Sequence, residues 1–441
     1  MRFFFPDSQD LVDPSFDFGT ERRSRERLRH RDDVYAHQVF KSRAYDGLLV
    51  SKGIVDGTGP SSGKYTLAQR HRLLRVGARD FFRLADTAGP PLEIMGDCGA
   101  FTYLREKVPP YSVDEVLAFY DECRFDLGLS VDHVILGFQS QWDSPARAKE
   151  VPTEMRERQQ LTLELARDFL TKHRKRRLRF RPIGVAQGWS PKSYARAVER
   201  LQKIGFDYIA LGGMVPLKTV EILASLEAIA AVRRPTTRLH LLGITRPNSL
   251  NQFRDYGVVS FDSTSPLRQA FKDERDNYYA MDRTFTAVRV PQVEGNPGLQ
   301  KRIKAGQVSQ DAARLHERRC LTFLKEYDAG RRRVADVVSA LCDYEKLYDP
   351  THDHSAAYEE VLRVRPWRTC QCDVCRDIGY HVILFRGAER NRRRGFHNVW
   401  TFYRRLRHEL GLAPPASHPE GRGQSRRSNS TTLIRTPAGI P

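Results

Sequence analysis

Three cysteines fall within six positions, at Cys370, Cys372 and Cys375, and His397 lies downstream of them. Thiolates with one imidazole suit Zn(II), and four such ligands close a tetrahedral shell. A closed shell leaves no open coordination position, so the predicted zinc is structural. His381 is an alternative fourth ligand on spacing alone. The other cysteines, Cys98, Cys123, Cys320 and Cys342, bring the count to seven. An odd number without a secretion signal argues against a disulfide framework. Phe3-Phe4-Phe5, cut short by Pro6, is too brief for the apolar region of a signal peptide.

A second set of residues stands directly behind short apolar runs. Asp97 follows Glu93–Gly96, Gln187-Gly188 follows Phe180–Ala186, Gly212-Gly213 follows Tyr208–Leu211, and Asp262 follows Val258–Phe261. A carboxylate can attack a carbon centre or move a proton. A glutamine amide can read a polar edge, and glycines let a ligand approach the backbone. Taken singly, each has a plainer reading. Asp97 is a turn residue, Asp262 before Ser263-Thr264-Ser265 is a helix cap, and the glycine pair is a turn. Taken together they form one mouth, provided the runs in front of them are strands of a barrel.

The pattern from about residue 45 to 290 supplies such strands. Candidates are Gly47–Ser51, Glu93–Gly96, His133–Phe138, Phe180–Ala186, Tyr208–Leu211, His240–Ile244 and Val258–Phe261, with helical stretches between them. Ser112 with Glu115 makes a capping box. Ser190 with Pro191, and Gly205 beyond, marks another helix at both ends. This alternation predicts an α/β fold with a parallel sheet, closed as a (β/α)8 TIM-type barrel or left open. The expected order is an N-terminal arm at 1–44, the barrel at 45–290, a helical and zinc-binding subdomain at 291–410, and a basic disordered tail at 411–441.

The formal charge is +19 over 441 residues, and the simplest explanation is a polyanionic partner. After Val361 the chain holds 16 Arg, no Lys and 5 acids, and Arg suits phosphate. Charge alone does not separate DNA from RNA. No run approaches the roughly 20 apolar residues of a membrane span, so no membrane partner is expected and the location reads as cytoplasmic.

In order along the chain, these residues resemble the tRNA-guanine transglycosylase superfamily. Its zinc pattern is similar to Cys370, Cys372, Cys375 and His397-Asn398. Its general-base motif resembles Asp97-Cys98-Gly99-Ala100-Phe101, its base-binding motifs resemble Ala186-Gln187-Gly188-Trp189 and Leu211-Gly212-Gly213, and its nucleophile motif resembles Phe261-Asp262 with Pro266 and Arg268. The stretches Phe3–Asp10, Asp17-Phe18 and Tyr45–Ser51 look like the DpdA-type branch, which acts on DNA. The resemblance implies a (β/α)8 barrel that replaces guanine in DNA with a 7-deazaguanine, 7-cyano-7-deazaguanine in that branch. It implies Asp262 as nucleophile, Asp97 as general acid/base, and Gln187, Gly212 and Gly213 at the base. It also implies a partner ATPase that helps to open the duplex. The family's base-reading acid has no clean match in Leu136–Asp143, where Asp143 is the candidate. The alternatives are a tRNA acceptor, and a non-catalytic zinc-containing subunit that binds nucleic acid. Trp142, Trp189 and Tyr103 are candidates for stacking on bases.

Overall fold

Eight short apolar runs become eight parallel strands. In the computed structural model the described residues are 1–57, 63–85, 87, 89–272 and 275–415, with Asn248 described by its backbone alone. The strands are β1 (Arg2–Pro6), β2 (Gly47–Ser51), β3 (Glu93–Asp97), β4 (Leu127–Leu129), β5 (Arg181–Ala186), β6 (Tyr208–Leu211), β7 (Arg238–Leu241) and β8 (Val258–Asp262). They pair in chain order and close into a barrel, with β1 against β8 and Phe4 opposite Asp262. Helices fill the crossovers, as the expected TIM-type architecture requires.

The start of the barrel differs from the sequence reading. Its first strand is Arg2–Pro6, inside the stretch expected to be an arm, and it pairs with both β2 and β8. A strand of a parallel barrel is buried on both faces, so it reads as an unbroken apolar run. Phe4 joins Leu49, Met95, Ile183, Val185 and Tyr208 inside the barrel. Phe3 and Phe5 belong to the outer core beneath the helices.

The expected strand His133–Phe138 is also displaced. The strand here is Leu127–Leu129, and the later apolar residues form a buried loop. Side chains satisfy the backbone of that loop where a neighbouring strand would otherwise do so. The His133 amide donates to Thr162 Oγ1 at 3.1 Å, and the Ile135 amide donates to Gln187 Oε1 at 3.2 Å. Burial without strand pairing explains why an apolar run alone pointed to the wrong segment.

Beyond the barrel, the stretch expected to be helical contains the helices Gln310–Asp328 and Val334–Tyr348. The stretch Asn398–Leu410 belongs to a long helix, Gly387–Glu409. Four arginines at and near the start of that helix are buried. Arg386 Nε meets Glu21 Oε1 at 2.7 Å, Arg390 reaches the same carboxylate, and Arg393 donates to the Asp13 carbonyl at 2.7 Å. Arg394 donates to the carbonyls of Ala270 and Leu384. These guanidinium groups pin the segment between β1 and β2 and the turn after β8, so they are not free for phosphate. Residues 416–441 of the expected basic tail lie outside the described residues.

The long helix also supports the closing strands. The Phe402 ring packs on Phe3 at 5.1 Å and on Phe261 at 6.2 Å between centroids. Truncating a buried aromatic of this kind costs about 3–5 kcal/mol. Phe402→Ala is therefore expected to lower the unfolding free energy by that amount in chemical denaturation.

Candidate active site and metal centre

Every rim residue discussed below leaves the C-terminal end of a strand. Asp262, the last residue of β8, is nearly buried at 6% exposure. Its Oδ1 accepts from the Gly243 amide at 2.9 Å and lies 3.2 Å from His240 Nε2. Its Oδ2 has no hydrogen bond among the described residues. His240 Nδ1 lies 2.7 Å from Ser260 Oγ, and the Ser260 hydroxyl also meets the Tyr208 hydroxyl. A chain of buried polar groups inside the barrel thus fixes one oxygen of Asp262 and leaves the other available.

Asp97 ends β3 and is partly buried, with bonds from Ser51 and from the Gly99 amide. Burial raises its pKa to about 7, and the neighbouring Asp132 charge adds to the rise. Asp132 lies just past β4 and is 3% exposed. Burial pushes it up to about 6, against bonds from Cys98 and Gln187 that favour the charged form. Its Oδ1 accepts from the Cys98 thiol at 3.2 Å, and its Oδ2 accepts from Gln187 Nε2 at 2.7 Å.

The glycine pair has a steric role beyond turn formation. A Cβ on Gly212 would lie 2.2 Å from Gln187 Nε2, and one on Gly213, at φ +73°, would lie 2.3 Å from the Ile135 carbonyl. Only glycines leave room for Gln187 to bridge Asp132 and the Ile135 amide.

Asp143, the candidate for reading the base, is placed at the start of a helix. Its Oδ1 accepts from Ser190 Oγ at 2.7 Å and its Oδ2 from the Lys192 amide at 2.9 Å, which caps the helix Pro191–Ile204. Both oxygens are engaged there, and the acid that touches Gln187 is Asp132. Sequence reasoning missed Asp132 because the strand was drawn too late. The shorter run Leu127–Leu129 would have put Ser130-Val131-Asp132 at a strand exit. His240 was also missed, although a lone histidine in an apolar strand was the available signal.

Among the aromatic candidates, Trp142 and Trp189 pack with Ile135 and Val151, and Tyr103 is buried against Cys98 and the Asp132 carbonyl. The exposed ring on the β3 exit is Phe101, at 51%.

Cys370, Cys372, Cys375 and His397 come together as expected. Their ligand atoms all lie within 4.8 Å of one another, and the three sulfurs sit 3.6, 3.3 and 3.4 Å from His397 Nδ1. His397 Nε2 donates to the Tyr279 carbonyl at 2.6 Å, which fixes the tautomer that presents Nδ1 as a ligand. The cluster can hold a metal ion. His381 is outside it, stacked on Tyr380 and Phe18. A cavity of about 570 Å³ beside Cys370, lined by Arg404 and Arg407, contains none of the rim acids. No described helix is long and apolar enough to cross a membrane.

Comparison with known proteins adds two findings. The family described as queuine tRNA-ribosyltransferase matches residues 137–312. A protein of Salmonella montevideo named DNA-guanine transglycosylase is 50% identical over 416 residues, covering 93% of this chain and 98% of that protein.

The raised pKa of Asp97 has a consequence for stability. A free aspartate titrates near 3.9, so between about pH 4 and 7 the folded chain binds more protons than the unfolded chain. Stability therefore falls as pH rises through that window, and the deficit is constant above about 7. Asp97→Asn removes the buried charge. Its melting temperature is expected to exceed that of the wild type at pH 8, with a gap that shrinks towards pH 5. A gap independent of pH in scanning calorimetry would contradict the raised value.

Proposed function

The chain belongs to the tRNA-guanine transglycosylase superfamily, in its DpdA-type DNA branch, and from that premise we propose that it exchanges guanine in DNA for a 7-deazaguanine, specifically 7-cyano-7-deazaguanine, through a covalent bond between Asp262 and the sugar. The observation that carries this reading is the unequal treatment of the Asp262 oxygens, one held by Gly243 and His240 and the other free, on the same rim as an acid that titrates near 7.

The steps follow from these groups. The target nucleotide leaves the helical stack, which costs a few kcal/mol. Asp262 Oδ2 attacks C1′ as the bond from C1′ to N9 breaks, through an oxocarbenium-like transition state. The electron pair leaves with guanine, which takes a proton from the Asp97 carboxyl. The incoming base gives its N9 proton to the Asp97 carboxylate, its nitrogen attacks C1′, and Asp262 departs as a carboxylate. An acid with pKa near 7 can serve in both directions near neutral pH. Asp132 and Gln187, held to each other, present polar groups to the base edge, and Phe101 offers a face for stacking. Gly212 and Gly213 keep that amide in place.

The cysteine–histidine cluster fits Zn(II), and a closed shell gives it a structural role. Bound there, the ion supplies folding energy by fastening the cysteine loop to the helix Gly387–Glu409. Purified protein is expected to carry one equivalent of zinc by elemental analysis. Less than about half an equivalent would count against the assignment. Cys372→Ala should damage folding before it damages chemistry.

The match to the queuine tRNA-ribosyltransferase family supports a second reading, with tRNA as acceptor. Labelled 7-cyano-7-deazaguanine offered with DNA and with tRNA tests it, and incorporation into tRNA alone would promote that reading.

The two acids separate in a trapping experiment. With labelled single-stranded DNA on a denaturing gel, Asp262→Asn is expected to lose the slow covalent band and all guanine release. Asp97→Asn should reduce turnover by 100-fold or more, about the general acid–base contribution, while still forming some covalent band. An undiminished band in Asp262→Asn would remove the nucleophile assignment.

A further inference from the structure

A small basic pocket sits apart from the rim acids, between the segment that follows β1 and the helix Leu67–Val76. Its volume is about 60 Å³, and its walls include Gln9, His30, Arg31, Arg72 and Arg83. That is far below the several hundred Å³ of a site for a drug-sized ligand, but it exceeds the space a few waters need. It suits a tetrahedral anion better than a base.

Its charges are incompletely neutralised. Arg31 pairs with Asp32 at 2.9 Å. Arg83 donates to the main-chain carbonyls of Arg31 and Asp33, at 3.2 and 2.7 Å, and lies over the Tyr35 ring at 5.0 Å, with no carboxylate hydrogen-bonded to it among the described residues. Arg72 has no hydrogen bond or ion pair among the described residues. No carboxylate lines the pocket. Burial, and the Arg72 charge nearby, lower the Arg83 pKa. The buried Nδ1 of His30 also lacks a hydrogen-bond partner.

The backbone points the same way. Eight non-glycine residues among those described adopt positive φ, and three of them, Gln9 (58°), His30 (65°) and Arg83 (56°), line this pocket. Each such residue costs on the order of 1 kcal/mol and persists only where its surroundings enforce it. Bonds hold Gln9 from two sides: its amide donates to Asp7 Oδ1 at 3.2 Å, and its Oε1 accepts from Gln69 at 2.8 Å. Strain, unneutralised cations and an unsatisfied nitrogen therefore coincide at one cavity.

Its position relates it to the rim. Phe4 lies opposite Asp262 in the barrel, and Gln9 follows five residues later, at most about 18 Å along the chain. We propose that this pocket is an anion subsite that takes a backbone phosphate of the acceptor DNA strand, some nucleotides away from the one at Asp262. The proposal rests on the reading that DNA is the acceptor.

The test uses the full zinc-loaded chain and a labelled single-stranded deoxyoligonucleotide, with anisotropy read across a salt series. Arg72→Gln is expected to weaken binding about tenfold and to lower the slope of log affinity against log salt by about 0.7, the value for one phosphate contact on a single strand. Arg72 is exposed, so the variant should fold. Arg75→Gln, on the same helix but outside the pocket, controls for general surface charge and should change affinity by less than twofold. Unchanged affinity and slope in Arg72→Gln, or an equal loss in Arg75→Gln, overturns the proposal. Inorganic phosphate separates a phosphodiester site from a site for free phosphate. If Arg72→Gln loses only a phosphate-induced rise in melting temperature and keeps its oligonucleotide affinity, the site is not for the acceptor strand. Arg72→Gln made in the Asp262→Asn background, which forms no covalent bond, should show the same fold-change relative to Asp262→Asn alone, so a failure of the exchange chemistry would not disturb this readout. A wild-type preference for RNA of the same sequence would overturn DNA as the occupant.

Discussion

Asp97 and Asp132 are two carboxyl groups in a rim with little access to water, and Asp97 lies near enough to feel the charge of Asp132. Burial makes a charge on either group costly, and a charge on Asp132 makes one on Asp97 costlier. That constraint produces a carboxyl group with a pKa near neutrality, and it dictates much of the surrounding structure. Both acids need donors, and the donors come from neighbouring strand exits: Ser51 after β2, Gly99 after β3 and Gln187 after β5. Only a closed parallel barrel presents so many strand ends to one small space.

Closure in turn rests on residues far from the chemistry. β1 fills the last gap between β8 and β2, and its pairing sets Phe4 beside Asp262. The segment after β1 could have remained a loose arm. Glu21 is instead clamped by Arg386 and Arg390, and the Asp13 amide donates to the Glu389 carboxylate while its carbonyl accepts from Arg393. Several arginines near the C-terminus thus work as internal ties. The large positive charge of the chain overstates the part of it that faces a polyanion.

The fold and most of the site were legible in the sequence because they depend on local signals. Tyr208–Leu211 and Gly47–Ser51 form at the expected bounds, since apolar runs flanked by turn residues define such strands well. The cysteine spacing brought its four ligands together. What escaped depends on partners distant in the chain. β1 is a strand only because β2 and β8 flank it, and Phe3-Phe4-Phe5 gives no periodicity when both faces are buried. Asp132 and Asp143 are both acids near the β4 exit. Only the three-dimensional positions of Gln187 and Ser190 decide which one serves the rim and which caps a helix. An arginine's spacing likewise does not reveal whether a carbonyl waits for it, as Ala270 does for Arg394.

The cysteine–histidine cluster and the segment that follows Asp262 both pack on one helix. His397 stands in the cysteine cluster, and the next residue, Asn398, bonds to the backbone of Asn277 and Tyr279. Gly395 lies so close to Leu267 that a Cβ there would sit 2.6 Å from its Cδ1, and Leu267 belongs to the short helix that follows Asp262. Phe402, further along, supports Phe3 and Phe261 in the two strands that close the barrel. A disturbance at the cluster therefore has a direct mechanical route to β8. It would loosen the packing that holds Asp262 at the rim without touching a reacting atom. The cluster lies outside the barrel mouth, so its mechanical link to Asp262 passes through the position of this helix.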